Sequence, residues 1–174
     1  MATPIRLLVC GALVLFGAAC GTHSDDDAAD QSLWPADATQ LALVNAGGGL
    51  PAPTPAGSDC ADSGVGTFTV SVADRKLSWD YCAYQMAGGN KHLTDARTLT
   101  ANEFQSVVSA VKAVAISTKT DCGADKPTEK LQITTPASTK EYLDDFYACS
   151  KQGVYITNID AVFDVLYHLA FPSP

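Results

Sequence analysis

Three histidines, six cysteines and the adjacent acids Asp144 and Asp145 are the residues of this 174-residue chain best suited to acid–base, nucleophilic or metal chemistry. His92 stands three places before Asp95 in a polar stretch, residues 85–98, that reads as a loop. A His–Asp pair can orient an imidazole as a general base, but covalent chemistry also needs a Ser or Cys held beside it. The nearest fragments of a G-x-S-x-G nucleophile elbow are Gly57-Ser58 and Ser63-Gly64, and both fall in loops. His23 sits among small and acidic residues that hold no geometry, and His168 falls off the apolar stripe of a predicted helix and reads as a surface residue. No H-E-x-x-H is present. Asp144 and Asp145 fall on a predicted strand, where neighbours point to opposite faces. They are expected not to share a proton, with one exposed and the other at a strand edge. Asp25-Asp26-Asp27 lacks the alternating ligands and glycine of a calcium loop. Gly47-Gly48-Gly49 lacks a phosphate-binding pattern and reads as a turn. On these grounds no catalytic, cofactor-binding or metal-ligating residue is assigned, and no enzyme activity is expected.

Composition narrows the function classes. Net charge is −8, with 11 Lys and Arg against 19 Asp and Glu, which excludes a general nucleic-acid binder and argues against electrostatic attachment to anionic lipid. With 47% hydrophobic and 17% charged residues, the chain has the makings of a globular core, and its length fits one domain.

The first residues describe export. Arg6 precedes an apolar run over residues 7–19, too short to span a bilayer but suited to the core of a signal peptide. Small residues Gly17, Ala18 and Ala19 lead into Cys20, although Gly17 stands where Leu is usual. This resembles the lipobox of bacterial lipoproteins. The resemblance implies a signal peptide over residues 1–19, lipidation of Cys20 and attachment to the cell envelope through acyl chains, with Gly21 favouring the outer membrane. Cleavage by an ordinary signal peptidase after Ala19 is the alternative. Cysteine parity favours the first. With Cys10 lost, five cysteines remain, and lipidating Cys20 leaves Cys60, Cys82, Cys122 and Cys149 to pair. Residues 20–32 then form an acidic tether and residues 33–174 the domain.

Periodicity supplies the elements that must position any site. Residues 40–45 read as a short strand. Phe68, Val70 and Val72 alternate with Thr67, Thr69 and Ser71; after a turn at residues 73–75, Leu77, Trp79, Tyr81 and Ala83 alternate with Ser78, Asp80, Cys82 and Tyr84. This predicts a hairpin with one packed and one wet face. Thr100 and Glu103 form a capping box before a helix with an apolar stripe of Phe104, Val107, Val108, Val111, Val114 and Ala115. A second hairpin follows, over residues 131–134 and 140–148, and then a last helix capped by Thr157 or Asn158. Its stripe of Ile159, Val162, Phe163, Leu166, Leu169 and Ala170 repeats the first spacing, as a duplicated ββα unit would. Each hairpin carries a cysteine before its first strand and one at the end of its second. Local pairing, Cys60–Cys82 and Cys122–Cys149, is therefore expected. The predicted fold is α+β and two-layer: a mainly antiparallel sheet of four or five strands, two helices on one face, ββα-ββα order and two disulfides.

In element order and size, with Leu99-Thr100-x-x-Glu103 opening the first helix, residues 40–170 resemble the emfourin-type inhibitors of thermolysin-like metallopeptidases. That resemblance implies inhibition of a secreted metallopeptidase. The residues themselves point first to a membrane-tethered, non-catalytic binding module for a protein or small ligand, without cofactor. Exposed Tyr84 and loop-borne His92 are its candidate partner contacts. An unrecognised hydrolase, using His92, Asp95 or Asp144, is the third reading.

Overall fold

The computed structural model describes residues 32–47, 53–84, 88–119, 123, 126–146, 148 and 153–172. Cys20, Cys122, Cys149, His23 and Tyr147 lie outside the described residues, and so do the signal, most of the tether and the second expected disulfide.

The alternating segments fold as strands because each buries one row of side chains and leaves the other wet. They are β1 (Gln40–Asn45), β2 (Gly66–Ser71), β3 (Lys76–Ala83), β4 (Lys91–Thr98), β5 (Glu129–Thr134), β6 (Thr139–Asp144) and β7 (Val154–Ile156), with helices α1 (Ala101–Lys112) and α2 (Ile159–Ala170). One sheet results, in the order β4-β3-β2-β1-β5-β6-β7. Every neighbouring pair is antiparallel except β6 and β7, which run parallel.

The expected α+β fold is present, but among the described residues the sheet has seven strands rather than four or five. The two additional strands lack the signal that periodicity reads. β4 (KHLTDART) lies within the stretch read as a loop; charges on both faces hide its alternation, and such charges suit an edge strand that must not pair with another chain. β7 has only three residues and pairs with β6 across a crossover. The second strand of the second hairpin is also shorter than expected, ending at Asp144. Each half is thus βββα rather than ββα, with β1 between the halves. Leu41 faces Val70 on one side and Ile133 on the other, Leu43 faces Phe68 and Leu131, and Asn45 faces Gly66 and Glu129.

The core is the helix-facing side of this sheet. Leu41, Leu43, Phe68, Val70, Leu77 and Leu131 are fully buried, each contributing on the order of 2 kcal/mol by area. Val107 and Val111 of α1 and Val162 and Leu166 of α2 pack down on them, so most of the repeated stripe faces the sheet; Val114 and Ala115 fall beyond the end of α1, and Ala115 is exposed. Aromatic rings fasten the C-terminal half of α2. Phe68 meets Phe163 at 5.8 Å, Trp79 meets Phe171 at 5.7 Å, and Tyr167 meets Phe171 at 5.0 Å between centroids.

The helix starts differ. Thr100 and Glu103 form the predicted capping box: Thr100 N donates to Glu103 Oε2 at 2.8 Å, and Glu103 N donates to Thr100 Oγ1 at 3.3 Å. The Thr100 hydrogen bonds, then the Arg97 guanidinium, hold the Glu103 carboxyl down to about 2. Asn158 occupies the N-cap of α2 with φ 59° and its side chain makes no capping bond. Its tolerance for left-handed backbone, rather than its amide, suits it to that corner.

Cys60 and Cys82 are joined, as their places on the hairpin predict. Cys82 was expected on the wet face but is buried, because the segment carrying Cys60 covers it. That segment is docked by Asn90, whose N–H donates to Ser58 Oγ at 2.8 Å and whose side-chain amide donates to Ala61 O at 3.1 Å. The far edge of the sheet is closed differently. Ser117 N donates to Tyr155 O and Thr157 N to Ala115 O, so the chain after α1 runs along β7. Among the described residues no helix is long and apolar enough to cross a membrane.

Candidate functional site

The residues singled out in the sequence are dispersed. His92 and Asp95, three apart on β4, take opposite faces. His92 Nε2 instead lies 2.5 Å from Asp80 Oδ1, and His92 N donates to Asp59 Oδ1 at 2.5 Å, both in exposed surroundings. Asp95 is in register with Trp79. Tyr84, directly after β3, is 62% exposed, as its position on the wet side predicts. His168 is exposed on α2.

Asp144 and Asp145 depart from expectation because both are buried. They do point apart. Asp145 accepts from Ser117 Oγ at 2.8 Å and pairs with Lys119 at 3.1 Å. Asp144 turns to the helix side and ends a polar row that crosses the sheet: Tyr81, Gly66, Asn45, Glu129, Asp144. Gly66 is required in that row, since a Cβ there would lie 2.6 Å from Tyr81 Cα. Asp160, in the first turn of α2, completes a group of three carboxylates, with one oxygen from each lying within 4.8 Å of the others.

Lys126 provides the cation for this group. Its ammonium lies 2.5 Å from Asp144 Oδ2, 2.8 Å from Asp160 Oδ1 and 4.0 Å from Glu129 Oε2. Burial alone would lower the Lys126 pKa, but the contacts with Asp144 and Asp160 outweigh it and raise it. Glu129 and Asp144 are each 4% exposed, and Glu129 Oε2 and Asp144 Oδ2 accept no well-directed hydrogen bond. Glu129 and Asp144 are buried while Asp160 is exposed, and one ammonium does not balance all three charges, which favours a proton on a buried member of the group. Burial, then Asp160, push Glu129 up to about 7. Burial, then Tyr167 and Glu129, push the Tyr81 hydroxyl up to about 12.

This predicts a pH dependence of stability. An unfolded Glu titrates near 4.5, so between about pH 4.5 and pH 7 the folded protein holds more protons than the unfolded chain. Stability should therefore fall as pH rises through that window, and the full penalty applies above it. Glu129→Gln should remove the slope and raise stability at pH 8 by about 2 kcal/mol, allowing for sharing of the proton within the group. Urea unfolding at pH 5 and pH 8 would measure this; equal slopes in both proteins would refute it.

A second feature is a cavity of about 490 Å³ beside the β5–β6 turn, where the helices leave the sheet uncovered. Leu33 and Ile133 are buried apolar residues in its lining, and Ile116, four residues beyond α1 and bridged to Ile156, is apolar and 44% exposed. Tyr142, 8% exposed, also lines it, and among the described residues its hydroxyl has no hydrogen-bond partner. Burial raises the Tyr142 pKa, so the phenol stays a proton donor through neutral pH. Asp37 and Lys140 also border the cavity. A concave apolar site of this size with a few convergent polar groups has the form of a small-molecule site. Sequence reasoning missed it. The alternation that placed Tyr142 and Ile133 on one face was visible, but the N-terminal segment that makes the opposite wall carries no periodic signal.

No protein-family model matches the chain, and neither a curated protein nor a solved structure matches it.

Proposed function

We propose that the chain is the precursor of an exported, lipid-anchored protein whose domain is a non-catalytic binding module, with the cavity beside the β5–β6 turn as its ligand site. The observation that carries the binding reading is the cavity itself, an apolar hollow floored by Leu33 and Ile133 with Tyr142 in its lining. A ligand that covers this apolar lining gains about 25 cal/mol for each Å² it takes out of water. Export and anchoring rest on the lipobox-like segment ending at Cys20 and on cysteine parity, and the Cys60–Cys82 bond is in keeping with an oxidising compartment. Within the same proposal, Cys122 pairs with Cys149 and the anchor holds the protein at the outer membrane.

The test is a thermal-shift screen of the mature protein in detergent against small metabolites. A ligand at one hundred times its Kd should add about 2.7 kcal/mol and raise the midpoint by several degrees. Ile116→Trp should abolish that gain by filling the cavity from its exposed wall, and Tyr142→Phe should weaken it. A hit that survives Ile116→Trp would place binding elsewhere. Co-purification with an inhibited metallopeptidase would transfer support to the inhibitor reading.

A further inference from the structure

We propose that the cavity takes a small zwitterion with an apolar side chain, a free amino acid or a short peptide; this rests on the cavity being the binding site. Asp37 and Lys140 both border it. Among the described residues neither has an ion-pair partner, and they do not pair with each other. The cavity therefore offers one exposed charge of each sign at its rim, over an apolar floor of Leu33 and Ile133. A ligand with only an anionic group would pair with Lys140 and be repelled by Asp37, and one with only a cationic group would meet the reverse. A zwitterion satisfies both, which is discrimination by repulsion as well as attraction. Its ammonium goes to Asp37 and its carboxylate to Lys140, with the Tyr142 hydroxyl as a second donor to the carboxylate. Its side chain lies against Leu33, Ile133 and Ile116. No proton or bond need change hands, in keeping with a binding role.

Calorimetry on the mature protein tests this with five probes: L-leucine, the dipeptide Leu-Leu, isocaproic acid, which lacks the ammonium, isopentylamine, which lacks the carboxylate, and neutral isopentanol. Leucine or Leu-Leu should bind at least about tenfold more tightly than any of the other three, the worth of one hydrogen bond to a charged group. Preference between the first two separates free amino acid from peptide. Asp37→Asn and Lys140→Met should each remove about tenfold for the zwitterion and little for isopentanol. If the three analogues bind as tightly as leucine, the zwitterion assignment falls and the cavity remains the site. If none of the five binds, the assignment falls as well, and the Ile116→Trp control in the metabolite screen decides separately whether the cavity binds anything.

Discussion

Cys20→Ser is expected to move the protein from the membrane fraction to the soluble exported fraction in a bacterial host. The anchor in this reading is wholly covalent. Each buried methylene of an acyl chain contributes about 0.8 kcal/mol, so two or more chains hold firmly and their loss is close to all-or-none. In this reading the apolar run over residues 7–19 leaves with the signal, and the net charge of −8 is one that anionic lipid repels. Radiolabelled palmitate should enter the wild-type protein and not the variant. Equal membrane retention of both, or labelling of Cys20→Ser, would overturn the lipoprotein reading. A wild-type protein already soluble and unlabelled would support plain secretory cleavage after Ala19.

Removing the Cys60–Cys82 bond should have the next largest effect. It closes a loop with a sequence separation of 22. In the chain-entropy model such a loop contributes about 3 kcal/mol. For a domain of this size that lowers the unfolding midpoint by roughly 10 °C. The damage should begin locally. The bond holds the segment around Ser58 and Cys60 over the end of β3, beside the edge strand β4. Once it is cut, the segment is held chiefly by hydrogen bonds, among them those of Asn90 to Ser58 and Ala61, of Asp59 N to Asn90 O and of His92 N to Asp59 Oδ1. The double variant Cys60→Ala/Cys82→Ala should therefore become sensitive to limited proteolysis within residues 53–65 well below its midpoint. Amides of β1 and α1 should keep their exchange protection under the same conditions. An unchanged midpoint, or cleavage that begins in α1, would refute this account. Substitution is preferable to reduction, because a reductant would also open any bond between Cys122 and Cys149.

Burial of Glu129 and Asp144 should also make the domain pH-sensitive in a direction opposite to ordinary acid denaturation. Most paired carboxylates lose stabilisation on protonation. Here Glu129 is raised, so mild acid favours the fold, and the two trends should leave a stability maximum below neutrality.

Elements whose evidence is local were legible in the chain. The alternation in β2 and β3, the Thr100–Glu103 box and the stripes of α1 and α2 each report which side of a segment is apolar. Burial then follows, since only one side can face a core. The Cys60–Cys82 pairing was legible for the same reason: a hairpin brings its two ends together whatever the rest of the fold does. Strand β4 was not legible, because a charged edge strand has no apolar face to alternate. Strand β7 was too short to show a period.

The two candidate sites belong to a different level. Glu129, Asp144 and Asp160 come from β5, β6 and α2, and nothing in their spacing announces that they meet around Lys126. Asp144 and Asp145 illustrate the limit. Local geometry correctly turns them to opposite sides, yet their burial depends on what covers each side. The cavity likewise exists only because Ile116, beyond α1, and the segment around Leu33 come to rest opposite Ile133 and Tyr142. By itself, then, the sequence determined the individual elements, the faces they bury, the first disulfide and the expectation of export. Strand order, register and the placement of irregular segments decided which polar groups converge, because those depend on contacts between residues far apart in the chain, about which periodicity carries no information.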